Sequence, residues 1–348
     1  MRLKLAVGLC FVLFVVSAVA QTNLNGAGAT FPYPIYSKWF SEYHKAHPGI
    51  QINYQSIGSG GGIKQIQAGT VDFGASDGPM SDEQLAATPF KLIHIPTVLG
   101  SVVPTYNIPG VNAELKFTPD VLADIYLGNI KKWNDPRLAK ANPGVKFPDS
   151  EIIVVHRSDG SGTTYVFTDY LSKVSSDWKT RVGRNTSVNW PVGLGGKGNE
   201  GVSGTVKQTP GSIGYVELIY AIQNKMPYGT VQNAAGVFVK ASLESTTAAA
   251  ASMKEMPEDF RVSITNAPGK NAYPISTFTW LLVPIEWNDA TKEKTFVDFL
   301  NWMVTDGQSM TNSLDYAPLP KPVVAKIKAR IKEIRIKGAD QGKKISKK

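Results

Sequence analysis

The sequence predicts an α/β fold, and three observations carry that reading. Short apolar or alternating runs recur along the chain, each passing through a glycine-rich loop into a segment with helical spacing. The chain has 348 residues, enough for two domains rather than one. Its single cysteine, Cys10, leaves no disulfide or thiolate metal site to hold a small scaffold together, so the fold must rest on buried apolar cores.

The elements follow in order. Arg2 and Lys4 make a basic start, Leu5 to Ala20 is apolar apart from Ser17, and Ala18-Val19-Ala20 is an A-x-A cleavage pattern. This predicts a secretory signal peptide over 1–20, cut after Ala20; sixteen apolar residues fall short of a membrane span. Cys10 lies within it, so the exported chain holds no cysteine, which suits a bacterial periplasm. YPIYSKWFSEYHKAH places Ile35, Trp39, Phe40 and Tyr43 at helical spacing. IQINYQSI at 50–57 alternates as a strand and runs through glycines into the short helix IKQIQAG; VDFGASD is another short strand. IHIPTVLGSVVPTYNI at 93–108 is a long, proline-interrupted extended run that can cross between lobes. EIIVV, the helix TTYVFTDYLSKV, the buried strand TFTWLLVPI at 277–285 and the amphipathic helix EKTFVDFLNWMVTDG continue the pattern.

Charge is informative once divided. The chain carries 37 basic and 28 acidic residues, but the signal segment and Lys321 to Lys348 hold all of the excess. The body from Gln21 to Pro320 has 24 basic and 26 acidic residues, which argues against a nucleic-acid reader. VVAKIKARIKEIRIKG reads as a terminal helix with a solvated basic face, followed by a frayed basic end at 339–348.

Three loops share one design: Gly26-Ala27-Gly28-Ala29-Thr30-Phe31, Ile57-Gly58-Ser59-Gly60-Gly61-Gly62 and Arg157-Ser158-Asp159-Gly160-Ser161-Gly162-Thr163. Each is expected to put small residues and a hydroxyl at a helix N-terminus. There the first N–H groups lack partners and the dipole end is positive, so an anion can bind. Ser and Thr are also ordinary helix caps, so the weight comes from the threefold recurrence and from Arg157, whose planar fork suits a tetrahedral oxyanion. No nucleotide loop of the form G-x-x-x-x-G-K-[ST] is present, Gly160-Ser161-Gly162 is not G-x-S-x-G, and the four histidines follow no triad order. His44 and His47 lie three apart but have no second pair of ligands, so neither metal nor cofactor is expected.

NGAGATFPYPIY, INYQSIGSGGGIKQIQAGTVDFGASD, IYLGNIKKWNDP, HRSDGSGTTYVFTDYL, VGLGGKGNEGV, GSIGYVE and LDYAPLP, in that order, closely resemble the substrate-binding protein of the high-affinity phosphate ABC importer. The likeness runs from about Asn25 to Pro320. It implies a two-lobed periplasmic-binding-protein fold of type II, with mixed sheets flanked by helices and a ligand cleft between lobes. Lobe I would be 21–98 with 276–338, and lobe II 99–275. It implies a monomeric receptor, not an enzyme, that binds inorganic phosphate over sulfate and hands it to a membrane permease and ATPase complex. The family's phosphate contacts fall on Thr30, Phe31, Ser59, Asp77, Arg157, Asp159, Ser161, Gly162 and Thr163. Gly60 stands where relatives often carry a second serine, which would forgo a secondary hydroxyl contact, and His156 precedes the arginine. Thr30, Ser59, Ser161 and Thr163 would donate hydroxyl bonds, and Phe31 and Gly162 backbone N–H groups. Asp77 is the telling member: an ionised carboxylate only accepts, so it needs a proton on the ligand, which HPO₄²⁻ has and SO₄²⁻ lacks. The rival classes are a phosphoryl-transfer enzyme using the same cradle and a receptor for sulfate or molybdate.

Overall fold

The computed structural model describes residues 21–338; the expected signal peptide at 1–20 and basic end at 339–348 lie outside the described residues. Its strands, in chain order, are β1 (Thr22–Gly28), β2 (Ile50–Ser56), β3 (Phe73–Ser76), β4 (Leu92–Asn107), β5 (Lys116–Phe117), β6 (Ile153–Arg157), β7 (Leu194–Gly196), β8 (Ser212–Glu217), β9 (Thr230–Gln232), β10 (Phe238–Val239), β11 (Ser276–Pro284), β12 (Glu286–Trp287) and β13 (Arg335–Ile336). Eight of them form one mixed sheet in the order β2-β1-β3-β11-β4-β8-β6-β7. β1, β2 and β3 run parallel, as do β6, β7 and β8, which is the arrangement expected of strands returning through helices.

β4 joins the two halves. Leu92 to Ser101 pairs antiparallel with β11, and Val102 to Asn107 pairs antiparallel with β8. Its fourteen central residues are all buried, which is why the sequence shows a long, mostly apolar run there. Proline cannot donate to a ladder, and the structure accommodates Pro96 at a slip in register, where Trp280 faces Pro96 and Thr279 faces Val98.

Each half has an aromatic core against its helices. In the first, Phe40, Phe73, Phe296 and Phe299 pack between β3 and the helices Tyr33–Ala46 and Ala290–Met303. In the second, Tyr126, Phe167, Trp190 and Tyr215 pack under the helix Gly162–Val174. The C-terminal reading needs correction. The helix is Lys321–Ile331, buried along Val323, Ile327 and Ile331, but the segment after it forms β13, parallel to β12. Ile334 and Ile336 alternate with charged residues, and period 2 prevails there over the helical pattern.

The helix Ser59–Gln67 sits unusually close to the sheet. A Cβ on Gly62 would lie 2.5 Å from Gly28 Cα and 2.6 Å from the Ala27 carbonyl oxygen. Backbone cannot yield as a side-chain tip can, so Gly62→Ala is expected to cost about 1–3 kcal/mol. Urea unfolding should show a lowered midpoint with an unchanged slope; a midpoint equal to the parent's would mean the helix shifts freely.

Candidate functional site

The three glycine-rich loops come together between the halves of the sheet, but they are built differently. The first is not a cap: Gly26 to Gly28 belong to β1, and Thr30 and Phe31 occupy the turn before a helix whose N-cap is Pro32. Strand pairing to β2 and β3 holds those glycines extended, which overrides the loop reading. The second is a helix start, with Gly58 as N-cap at φ 85° and Ser59 as the first helical residue. A left-handed φ favours glycine, and a side chain there would also strike Asp159 Oδ2. The third places Ser161 as N-cap of Gly162–Val174, its hydroxyl accepting from Thr164 N–H at 3.0 Å. Gly162 and Thr163 thus present first-turn N–H groups that the helix cannot satisfy.

All nine expected residues are gathered in one region, and all but Asp159 are buried. Arg157 donates through Nε and Nη2 to the two Asp159 carboxylate oxygens at 2.7 and 2.6 Å, a fork-to-fork pair. Its Nη1 reaches Thr163 Oγ1 at 3.3 Å, and its backbone N–H donates to the Tyr215 hydroxyl at 3.2 Å. Asp159 also accepts from Gly198 N–H at 3.0 Å. Burial pushes the Asp159 carboxyl up, but the bonds and charge of Arg157 outweigh it and hold the group below its ordinary value.

From the other half, Asp77 accepts from the Thr279 hydroxyl at 2.8 Å, and its backbone N–H donates to Ser59 Oγ at 3.2 Å. A Cβ on Gly162 would lie 2.4 Å from both Asp77 Oδ2 and Ser59 Oγ. The two halves therefore touch across the site. Gly60 N–H donates to the Gly160 carbonyl at 2.8 Å, and a Cβ on Gly60 would meet Gly160 Cα at 3.0 Å. The missing serine at 60 is thus answered by a close contact between loops. Burial pushes Asp77 up to about 7, against the lowering influence of Thr279, Arg157 and Ser59.

Several functional neighbours escaped the sequence reading. Asn199, at the start of the helix Gly198–Gln208, donates from its backbone at 3.2 Å and from Nδ2 at 2.7 Å to Thr30 Oγ1, and from Nδ2 at 3.1 Å to Thr163 Oγ1. Tyr220 and Tyr316 donate to the Thr30 and Phe31 carbonyls at 2.6 and 2.5 Å, fixing the first loop. Thr279 comes from β11, 202 residues from Asp77. Within GKGNEGV the Asn-bearing glycine loop was visible; the tyrosines and Thr279 gave no local signal. His156 stacks on Trp190 at 4.8 Å and bonds the Arg157 carbonyl through Nδ1, so it braces the strand behind the site. His44 Nδ1 is engaged by the Ile50 carbonyl at 2.7 Å, and among the described residues no acidic, cysteine or histidine cluster could hold a metal.

The arrangement brings hydroxyl groups, the Arg157 guanidinium and first-turn N–H groups together with the buried Asp77 carboxyl where the two halves meet. A PBP superfamily domain model matches residues 15–306. The phosphate-binding protein PstS of Xylella fastidiosa (strain Temecula1) is 51% identical over 311 residues, 89% of this chain and 85% of that protein. The phosphate-binding protein PstS of Pasteurella multocida is 49% identical over 332 residues, 95% of each chain. The chain belongs to the family of PstS phosphate-binding proteins. Among solved structures, a high-affinity periplasmic phosphate-binding protein bound with phosphate superposes with a TM-score of 0.71 at 22% identity, over 88% of this chain and 93% of that one. An ABC-type phosphate transport receptor from Vibrio cholerae gives 0.55 at 18% identity, over 85% of this chain and all of that one. These likenesses establish the two-lobed α/β fold.

The raised Asp77 pKa has a direct consequence. Its carboxyl moves from 3.8 unfolded to about 7 folded, so the folded state holds the proton more tightly. That contribution to stability is complete below about pH 4 and is lost as pH rises through 7. Asp77→Asn, which is neutral throughout, should therefore gain on the parent between pH 5 and pH 8 when both are unfolded in phosphate-free urea. An equal difference at both pH values would mean the carboxyl is not desolvated.

Proposed function

We propose that this chain is a periplasmic receptor that binds inorganic phosphate between its lobes, discriminates against sulfate, and delivers phosphate to an ABC-type importer. Lobe I would comprise 21–98 with 276–338, and lobe II 99–275, with β4 and β11 as the crossovers. It would act as an exported monomer, after removal of the leader at Ala20, on the permease and ATPase of the importer. Among the described residues no helix is long and apolar enough to cross a membrane. Like its relatives, which are named for binding, it is no enzyme.

The observation that supports this reading is Asp77, buried at the seam between the halves with Ser59 and Gly162 against its carboxyl. Thr30, Ser59, Ser161 and Thr163 would donate hydroxyl bonds, Phe31 and Gly162 backbone bonds, and Arg157 the full positive charge, held in plane by Asp159. The Asp77 carboxylate would accept the single proton of HPO₄²⁻. Sulfate has no proton to give, so two acceptors would face one another without water. Sites built on a buried hydrogen bond reject the analogue lacking it by about 10⁴–10⁵. Because the ligand contacts both lobes, it stabilises the closed form by that differential contact, and the importer would read the closed surface.

Calorimetric titration with phosphate and sulfate at fixed salt tests this. The parent should prefer phosphate by orders of magnitude at pH 8, with the preference shrinking as pH falls below 7 and a neutral Asp77 can donate to sulfate. Asp77→Asn should lose at least tenfold of that preference, about 1.4 kcal/mol, and show little pH dependence. Full selectivity in the Asn variant from pH 5 to 8 would refute the proton-reading role.

A further inference from the structure

Resting on the phosphate reading, we infer that Asn199 is the positioning residue that makes the Thr30 and Thr163 hydroxyls pure donors toward the bound anion. The Glu217 backbone N–H donates to Asn199 Oδ1 at 3.0 Å. An N–H can only donate, so this bond fixes the amide with its oxygen toward Glu217 and its NH₂ toward the threonines. The NH₂ then spends both hydrogens, one on Thr30 Oγ1 and one on Thr163 Oγ1.

A hydroxyl oxygen has two lone pairs and one hydrogen. Thr30 Oγ1 receives the Asn199 side-chain and backbone N–H groups, at 2.7 and 3.2 Å. Thr163 Oγ1 receives Asn199 Nδ2 at 3.1 Å and Arg157 Nη1 at 3.3 Å. Both lone pairs of each oxygen are taken, so each O–H is left with donation as its remaining role. No acceptor for either hydrogen lies among the described residues of the two threonines' hydrogen-bond partners. Asn199 is fully buried, and its bonds to Thr30 and Thr163 tie the two proposed lobes through one amide. It thus acts both as a proton-orienting group and as a clasp formed on closure. Since phosphate and sulfate oxygens accept alike, it governs affinity, while Asp77 governs selectivity.

The test is a double-mutant cycle by calorimetry with inorganic phosphate on the exported chain. It compares Asn199→Ala in the parent with the same change in a Thr30→Val, Thr163→Val background. Asn199→Asp keeps the side-chain shape and the acceptor for Glu217, and serves if the alanine variant fails to fold. Its carboxylate would accept from the threonine hydroxyls and turn their hydrogens away from the ligand. Either substitution should raise the phosphate Kd at least tenfold in the parent. That factor should exceed the one seen in the valine background at least fivefold, with the phosphate-to-sulfate ratio unchanged. A smaller excess, or a loss of equal factor in both backgrounds, overturns the inference by showing a general packing role. A parent that does not bind phosphate would instead sink the phosphate reading on which it rests.

Discussion

Arg157 carries a full positive charge on a side chain only 1% exposed, and the rest of the molecule is arranged to compensate it. A buried charge left alone is far more costly than the stability of a whole domain can bear, so it must be paired and hydrogen-bonded. Asp159 supplies the pairing through a planar fork. Thr163 takes a further N–H, and Tyr215 anchors the strand end that presents the guanidinium. Asp77 then introduces a second carboxylate beside a cation that Asp159 already neutralises. Burial lifts its carboxyl to about 7, against the lowering influence of Thr279, Arg157 and Ser59.

The same requirement shapes the backbone. A desolvated site shared by two halves needs both surfaces to meet without side chains between them. Gly58, Gly60, Gly160 and Gly162 meet at that seam, where Cβ atoms on three of them would strike Asp159, Gly160, Asp77 or Ser59. Helix starts at Ser59 and Gly162 lie at that seam, and the first-turn Gly60 N–H donates across it to the Gly160 carbonyl. β4 and β11 make this geometry reachable, because one long buried strand serves both halves and its Pro96 is absorbed at a slip in register.

Much of this was legible in the sequence. The alternation of strands and helices and the extended run at 93–108 took the expected form, because local pattern dictates them, while the nine site residues came from the family resemblance and lie close together in the structure. What stayed hidden was long-range. Thr279 meets Asp77 through strand pairing that no motif encodes, and Tyr220 and Tyr316 read only as core aromatics. Asn199 sat in plain view within a glycine loop, yet nothing local marks an asparagine as bonded to hydroxyls 169 and 36 residues away. Thr30 was misplaced at a helix cap because strand pairing, a tertiary effect, extends β1 through the glycines before it. At the C-terminus, competing helical and alternating periods overlap within a few residues, and pairing with β12 decides between them.

The central claim is that Asp77 reads a proton carried by the ligand. Neutron diffraction from deuterium-exchanged crystals of the phosphate complex at pH 8 tests it most directly. The account predicts a single deuterium on the phosphate oxygen nearest Asp77, within hydrogen-bonding distance of an ionised carboxylate, and unprotonated phosphate oxygens facing Arg157, Thr30 and Thr163. Deuterium bonded to Asp77 itself, or phosphate seated away from that carboxylate, would contradict it.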